Sequence, residues 1–129
     1  TRLVFISGKF YFDLMGSPLR AEHPETAIVR VEQLYPFPSD ELRAVLESYP
    51  HVRQIIWAQE EPKNMGAWEF MGYRLKKLVG PSIPVNYVGR RRSSSPAEGS
   101  KALWAVNQEI VIRAVYEHRW AHSSGETAE

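Results

Sequence analysis

Three polar residues, Gln59, Glu60 and Glu61, follow directly on an apolar run near the middle of the chain. The run, from Gln54 to Ala58, is typical of a buried strand, and we expect Pro62 to end it. A carboxylate at the end of a buried strand needs a partner, because an unpaired buried charge is strongly unfavourable. The segment therefore indicates either a polar site at the strand end or a satisfied structural turn.

Glu60 and Glu61 do not suit paired acid–base catalysis, although they are adjacent carboxylates. Neighbouring residues of an extended chain point to opposite faces, so the two groups are not expected to meet. The sequence contains no dinucleotide fingerprint, nucleophile elbow or cluster of metal-ligand spacing. We therefore assign no catalytic, cofactor-binding or metal-binding residue in this chain.

Arg90, which follows the last predicted strand, is a candidate for binding an anion. Its guanidinium suits a phosphate or carboxylate, and Ser93 and Ser95 add hydroxyl donors nearby. The alternative for Arg90 is an internal ion pair with Glu60 or Glu61. Both interpretations remain open from the sequence.

Lys9 is the other candidate for contact with an anion. It belongs to the turn Ser7-Gly8-Lys9, which joins a predicted strand to a predicted helix. The free N–H groups at the start of a helix favour an anion, although most turns of this kind bind nothing.

Four short apolar runs alternate with helical patterns along the chain. The runs are largely continuous rather than alternating, as in strands buried on both faces. They predict an α/β fold with a mostly parallel sheet covered by helices on both sides. The predicted strands are Leu3–Ile6, Ala27–Val31, Gln54–Ala58 and Val85–Val88.

Helical spacing of apolar residues predicts the intervening helices. We expect a first helix over about Phe10–Met15, and then one that Ser39 caps and Pro50 ends. The third ends at Gly80-Pro81, and the last is capped by Ser100. The apolar faces of the last three are Leu42, Val45, Leu46 and Tyr49; Trp68, Met71, Leu75 and Leu78; and Leu103, Val106, Ile110 and Ala114.

Parallel strands place their carboxyl ends at one edge of the sheet, and ligands of open α/β folds bind in the crevice beyond that edge. Each polar segment described above follows a predicted strand. We therefore expect Lys9, Glu60, Glu61 and Arg90 to lie along the same edge.

Composition excludes several classes of protein. The net charge of +1 over 129 residues gives no support for a nucleic-acid or membrane surface. No apolar run approaches the roughly 20 residues that span a bilayer. Cysteine is absent, so the chain has no disulfide framework. The four histidines are predicted to lie at the surface: His23, His51, His118 and His122.

Four motifs in order resemble those of one family, the C-terminal domain of the E1 component of 2-oxoglutarate dehydrogenase. They are SGKFYFDL at 7–14, IVRVEQLYPFP at 28–38, QEEPKNMGAW at 59–68 and YVGRRRSSSPAEG at 87–99. The similarity extends from about Leu3 to about Glu117. Arg91, Arg92 and the tail after His118 depart from it.

The resemblance implies a three-layer α/β/α sandwich of the transketolase C-terminal type, with a mixed sheet of five strands. We predict a domain over 1–118, a tail over 119–129, and a fifth strand upstream of Thr1. A chain that begins Thr1-Arg2 is interpreted as a piece of a longer polypeptide.

The resemblance also implies a function. The parent enzyme decarboxylates 2-oxoglutarate and passes the succinyl group to the lipoyl arm of its E2 partner. Upstream domains hold thiamine diphosphate and Mg²⁺ in a homodimer, so this domain is expected to serve assembly and regulation. Some relatives bind an acetyl-CoA or AMP activator at or near this domain, and the segment from Arg90 to Ser95 is its expected position. The enzyme is expected to reside in the bacterial cytoplasm or the mitochondrial matrix.

Two alternatives stay open from the sequence. One is the E1 component of a related 2-oxo acid dehydrogenase, such as that for 2-oxoadipate. The other is a free-standing nucleotide-binding α/β module.

Overall fold

The computed structural model of the chain describes residues 1–90 and 101–117. This part of the chain forms four strands, β1 (Arg2–Ile6), β2 (Thr26–Arg30), β3 (Gln54–Pro62) and β4 (Val85–Arg90). It also forms five helices, α1 (Phe10–Met15), α2 (Leu19–Glu22), α3 (Ser39–Glu47), α4 (Trp68–Val79) and α5 (Lys101–Glu117). Residues 91–100 and 118–129, which include Ser93, Ser95, Ser100 and the predicted tail, lie outside the described residues.

The strands form one sheet in the order β2-β1-β3-β4, and every neighbouring pair is parallel. This confirms the predicted α/β class and the mostly parallel sheet. The resemblance implied a mixed sheet of five strands, whereas the described residues form four strands that all run in one direction.

Alternate side chains of the strands enter two separate cores, one on each face of the sheet. Val4 and Ile6 of β1 pack with α1, α2 and α5. Leu3 and Phe5 of the same strand pack with α3 and α4, together with the fully buried Trp57. Because strand side chains alternate between faces, one continuous apolar run supplies both cores. The result is the predicted three-layer α/β/α sandwich.

Strand β3 is longer than predicted, since it continues past Ala58 to Pro62. A register shift lies between these two residues, after which Pro62 pairs with Arg90 of β4. The Lys63 N–H donates to the Arg90 carbonyl at 3.1 Å and extends the pairing. The proline is tolerated because it lies at the strand end. Gln59, Glu60 and Glu61 are therefore part of the sheet itself.

The predicted apolar face of α5 is wrong at three of its four residues, since of the four only Ala114 packs against the core. Leu103, Val106 and Ile110 are exposed, with Val106 at 58%. The residues that pack on the sheet are instead Val111, Ile112, Val115 and Tyr116, together with Gln108. The helix carries apolar residues around most of its circumference, so its periodicity fits two faces equally well, and only contact with the sheet selects one.

Two smaller differences concern α3 and the segment before β2. Ser39 is the first residue of α3 rather than its N-cap; the cap is Pro38, and no side chain caps it. The short helix α2 was not predicted. His23, which follows this helix, is half-buried rather than a free surface residue, because its ring stacks on that of Tyr116. Its Nδ1 also lies 3.2 Å from Glu25 Oε2.

Arg2 fixes the carboxyl end of α5 to the sheet. Its guanidinium donates to the carbonyls of Val115, at 3.2 Å, and Tyr116, and to Gln54 Oε1 at 3.0 Å. Partial burial lowers the pKa of Arg2, and the Glu25 carboxylate opposes that shift. The last carbonyls of a helix have no partner within it, so a cation there satisfies the hydrogen bonds and complements the helix dipole.

Replacement of Arg2 by methionine should lower the free energy of unfolding by about 2 kcal/mol, because it removes charged hydrogen bonds but keeps an apolar stem. Urea denaturation measures the loss. The exposed Arg53 is the matched control, and Arg53→Met should change stability by less than about 0.5 kcal/mol. Equal effects of the two substitutions would show that Arg2 does not anchor α5.

Candidate functional site

The carboxyl edge of the sheet has a topological switch point between β1 and β3, and we call this position the crevice. The chain leaves β1 for α1 on one face and leaves β3 for α4 on the other face. Such a reversal is the position at which open α/β sheets bind ligands. Lys9 follows β1 and Glu60 ends β3, and Lys9 Nζ lies 3.4 Å from Glu60 Oε1.

The charged group of Lys9 is exposed to solvent at this edge. Its side chain is 73% exposed, whereas that of Glu60 is 19% exposed. The Lys9 ammonium also lies 5.7 Å from the ring centroid of Trp104, which projects from the first turns of α5. An ion pair this exposed contributes little to stability. The ammonium is therefore available to a ligand at small energetic cost.

Gln108 is the centre of the polar network beneath Lys9. Its carboxamide is almost buried, at 6% exposure. The amide nitrogen donates to Asp13 Oδ2 at 3.1 Å and to Glu60 Oε1 at 3.3 Å, and the oxygen accepts from Arg90 at 2.9 Å. Sequence reasoning missed Gln108 and Asp13. The sequence signal that could have identified Gln108 was the presence of a glutamine among the apolar residues of α5.

Arg90 contacts the backbone carbonyl of Glu60, whereas the sequence left open an ion pair with a carboxylate or an anion site. Its guanidinium donates to the Glu60 carbonyl at 2.7 Å and to the Trp104 carbonyl at 3.3 Å. It also lies 5.1 Å from the Trp104 ring. The Glu60 carboxylate is engaged by Lys9 and Gln108 instead. These contacts of Arg90 lie within the edge, its role as an anion site stays a prediction, and Ser93 and Ser95 lie outside the described residues.

The turn before α1 was only a weak candidate for an anion site, and two of the N–H groups at the start of the helix are engaged within the chain. The helix has only six residues. The N–H groups of Tyr11 and Phe12 are directed to the carbonyls of Gly8 and Lys9, at 3.3 and 3.0 Å. The Lys9 side chain of this turn contacts Glu60 and Trp104.

Gln59, one residue before Glu60, belongs to the opposite face of the sheet. Its oxygen accepts from Trp57 Nε1 at 2.9 Å and from the Trp68 N–H at 3.0 Å. Its nitrogen donates to the carbonyls of Glu61 and Pro62, at 3.1 and 2.9 Å. The Gln59 carboxamide is therefore fully satisfied and joins the end of β3 to the start of α4. For this residue the structural turn is the correct interpretation.

Gly66 explains part of the spacing in the segment QEEPKNMGAW. A Cβ at this position would lie 2.6 Å from the Gln59 carboxamide. Only glycine lets the turn close over that group. Glu61, next in sequence to Glu60, is exposed, which agrees with the expectation that the two carboxylates do not form a pair.

Within residues 1–90 and 101–117, no three His, Cys, Asp or Glu side chains converge as metal ligands. In the same part of the chain no helix is long and apolar enough to cross a membrane. The described site is a compensated set of two cations and two carboxylates: Lys9, Arg90, Asp13 and Glu60. Its chemistry is that of binding polar groups.

The sheet and its two helical layers define a three-layer α/β/α domain of the transketolase C-terminal type. Residues 1–116 match the family described as 2-oxoglutarate dehydrogenase C-terminal. The chain belongs to that family.

Curated relatives carry the name 2-oxoglutarate dehydrogenase E1 component. The protein of Coxiella burnetii is 46% identical over 121 residues, which cover 91% of this chain and 13% of the relative. That of Geobacillus sp. strain WCH70 is 45% identical over 113 residues, which cover 87% of this chain and 12% of the relative. That of Haemophilus influenzae is 39% identical over 111 residues, which cover 86% of this chain and 12% of the relative. The chain thus spans about an eighth of the length of these relatives.

Replacement of Gln59 by leucine should lower the free energy of unfolding by about 3 kcal/mol or more, because it leaves the buried Trp57 N–H and the Trp68 N–H without their acceptor and removes one hydrogen bond each from the Glu61 and Pro62 carbonyls. Gln33 is the matched control, since its exposed amide makes a single bond, to the Tyr35 carbonyl at 3.3 Å. Denaturant titration of Gln59→Leu and Gln33→Leu compares the two. A cost below about 1 kcal/mol for Gln59→Leu would contradict its structural role.

Proposed function

We propose that this chain is the C-terminal assembly and regulatory domain of a 2-oxoglutarate dehydrogenase E1 component. Family membership and the E1 relatives support this proposal. In it, the parent enzyme decarboxylates 2-oxoglutarate and transfers the succinyl group to the lipoyl group of an E2 partner. It acts as a homodimer in the bacterial cytoplasm or the mitochondrial matrix.

Thiamine diphosphate and Mg²⁺ would be held by other domains of the enzyme. The described residues do not fit this cofactor, because no carboxylate set among them converges to hold Mg²⁺. Glu60 and Asp13 share their hydrogen bonds with Gln108, so both carboxylates already have partners. No step of the thiamine chemistry is therefore assigned to residues of this domain.

The regulatory part of the proposal concerns an acetyl-CoA or AMP activator at the crevice edge. The observation that carries it is the exposed Lys9 ammonium beside the indole of Trp104, with the Arg90 guanidinium 5.1 Å from the centroid of the same ring. An ammonium suits a phosphate, and an aromatic face suits a flat base. Lys9 would contact the activator directly, while Arg90 would position Trp104.

Calorimetry on the 129-residue chain tests this assignment. Lys9→Ala should weaken binding of acetyl-CoA or AMP by about tenfold, the loss of one charge-assisted contact. Lys76 is the matched control, because its ammonium lies 5.5 Å from the ring of Trp68, away from the crevice. Lys76→Ala should leave the affinity unchanged.

Two results would contradict the proposal. Equal effects of Lys9→Ala and Lys76→Ala on activator affinity would show that the activator does not bind at the crevice edge. Micromolar affinity of the same chain for thiamine diphosphate with Mg²⁺ would contradict the non-catalytic assignment.

A further inference from the structure

A cavity of about 600 Å³ lies at the amino edge of the sheet, at the opposite end of the strands from the crevice. Its lining residues are at the start of a strand or just before one, and these positions meet because all four strands are parallel. The volume is within the range of small-molecule sites in proteins. We call this space the amino-edge cavity. The residues that decide its chemistry are Arg2, Glu25, Val52, Arg53, Gln54 and Ile83.

Two of the polar groups that line the amino-edge cavity are held by bonds within the protein. The carboxamide of Gln54, which is 3% exposed, accepts from Arg2 at 3.0 Å and donates to Asn86 Oδ1 at 3.3 Å. The Arg2 guanidinium also donates to the last carbonyls of α5. These groups are therefore fixed in position, and the charge of Arg2 is directed to the helix.

Arg53 supplies the cation that is available to a ligand. Its backbone is fixed, because its N–H donates to the Thr1 carbonyl at 2.8 Å, whereas the residue as a whole is exposed. Within the part of the chain that the structure describes, no carboxylate forms an ion pair with it. A guanidinium presents a planar fork of donors that matches the two oxygens of a carboxylate.

Val52 and Ile83 supply the apolar part of the amino-edge cavity. Both are partly buried and pack against the core on the α3–α4 side of the sheet. They also line the cavity, so a ligand there would cover the surface that the core leaves exposed. Burial of such surface favours a ligand with an apolar body over a small inorganic ion.

Glu25 limits the charge that the amino-edge cavity accepts. Its carboxylate lines the cavity and lies 3.2 Å from the Nδ1 of His23. A backbone hydrogen bond lowers the pKa of Glu25, and His23 adds to that shift, so the group is ionised at neutral pH. A second negative charge on a ligand would be repelled by this carboxylate. The available charges therefore match a ligand with one carboxylate.

We propose that the amino-edge cavity binds a small monocarboxylate with an apolar body. The Arg53 guanidinium receives the carboxylate, Val52 and Ile83 contact the apolar body, and Glu25 excludes dianions. The site shares no side chain with the crevice, so it stands whether or not an activator binds there.

An NMR titration of the 129-residue chain with hexanoate, hexanol and adipate tests the proposal. Hexanoate should bind with a dissociation constant of about 10 mM or lower and should shift the amide signals of Arg53, Gln54 and Ile83 most. Hexanol lacks the charge and adipate adds a second one, so each should bind about tenfold more weakly. Absence of saturable hexanoate binding, or an affinity for adipate equal to that for hexanoate, would overturn the proposal.

Replacement of Arg53 by methionine should weaken hexanoate binding about tenfold, because it removes the cation and keeps an apolar stem. The same substitution is expected to change stability very little, so a loss of affinity would not arise from unfolding. The exposed Arg43 of α3 is the matched control, and Arg43→Met should leave the affinity unchanged. Equal affinities of the two variants for hexanoate would show that Arg53 does not receive the carboxylate.

Glu25→Gln tests the charge limit, with circular dichroism to verify that the variant is folded. It should raise the affinity for adipate, relative to that for hexanoate, by about threefold or more, since the repelling charge is gone. An unchanged ratio would contradict the role of Glu25.

Acetylation of the Thr1 amino group separates the site from the charge at the start of the 129-residue chain. Hexanoate should bind the acetylated chain as tightly as the unmodified one. Loss of binding on acetylation would assign the carboxylate to that amino group and overturn the role of Arg53.

Discussion

One buried carboxamide, that of Gln108, joins four elements at the carboxyl edge of the sheet. It holds Asp13 of α1, Glu60 of β3 and Arg90 of β4 to α5. Glu60 and Arg90 need such a partner, because they belong to strands that are buried along most of their length. Asp13 is exposed. The position of α5, and with it that of Trp104 above the crevice, depends on this network.

The end of β3 illustrates how one strand serves two purposes. Gln59 points to the α4 side and closes a turn, with all four of its hydrogen bonds made inside the protein. Glu60 points to the α5 side and receives Lys9, whose side chain remains open to solvent. The alternation of side chains along a strand thus separates a structural role from a binding role in adjacent residues.

Much of the fold could be predicted from the sequence, since the order of elements follows from apolar runs separated by helical spacing. Lys9, Glu60 and Arg90 were also correctly placed at one edge, because parallel strands require it. The face of α5 could not be predicted, since apolar residues surround that helix. Gln108 was missed because its hydrogen-bond partners belong to α1, β3 and β4, which are all distant from it in sequence.

The most direct measurement of this account is a double-mutant cycle between Arg90 and Gln108, read as the free energy of unfolding. If the carboxamide is the centre of the network, Arg90→Ala and Gln108→Ala should be coupled by about 1 kcal/mol or more, because each removes a bond that the other also removes. Effects that add within about 0.5 kcal/mol would contradict the account, since the two residues would then stabilise the edge independently.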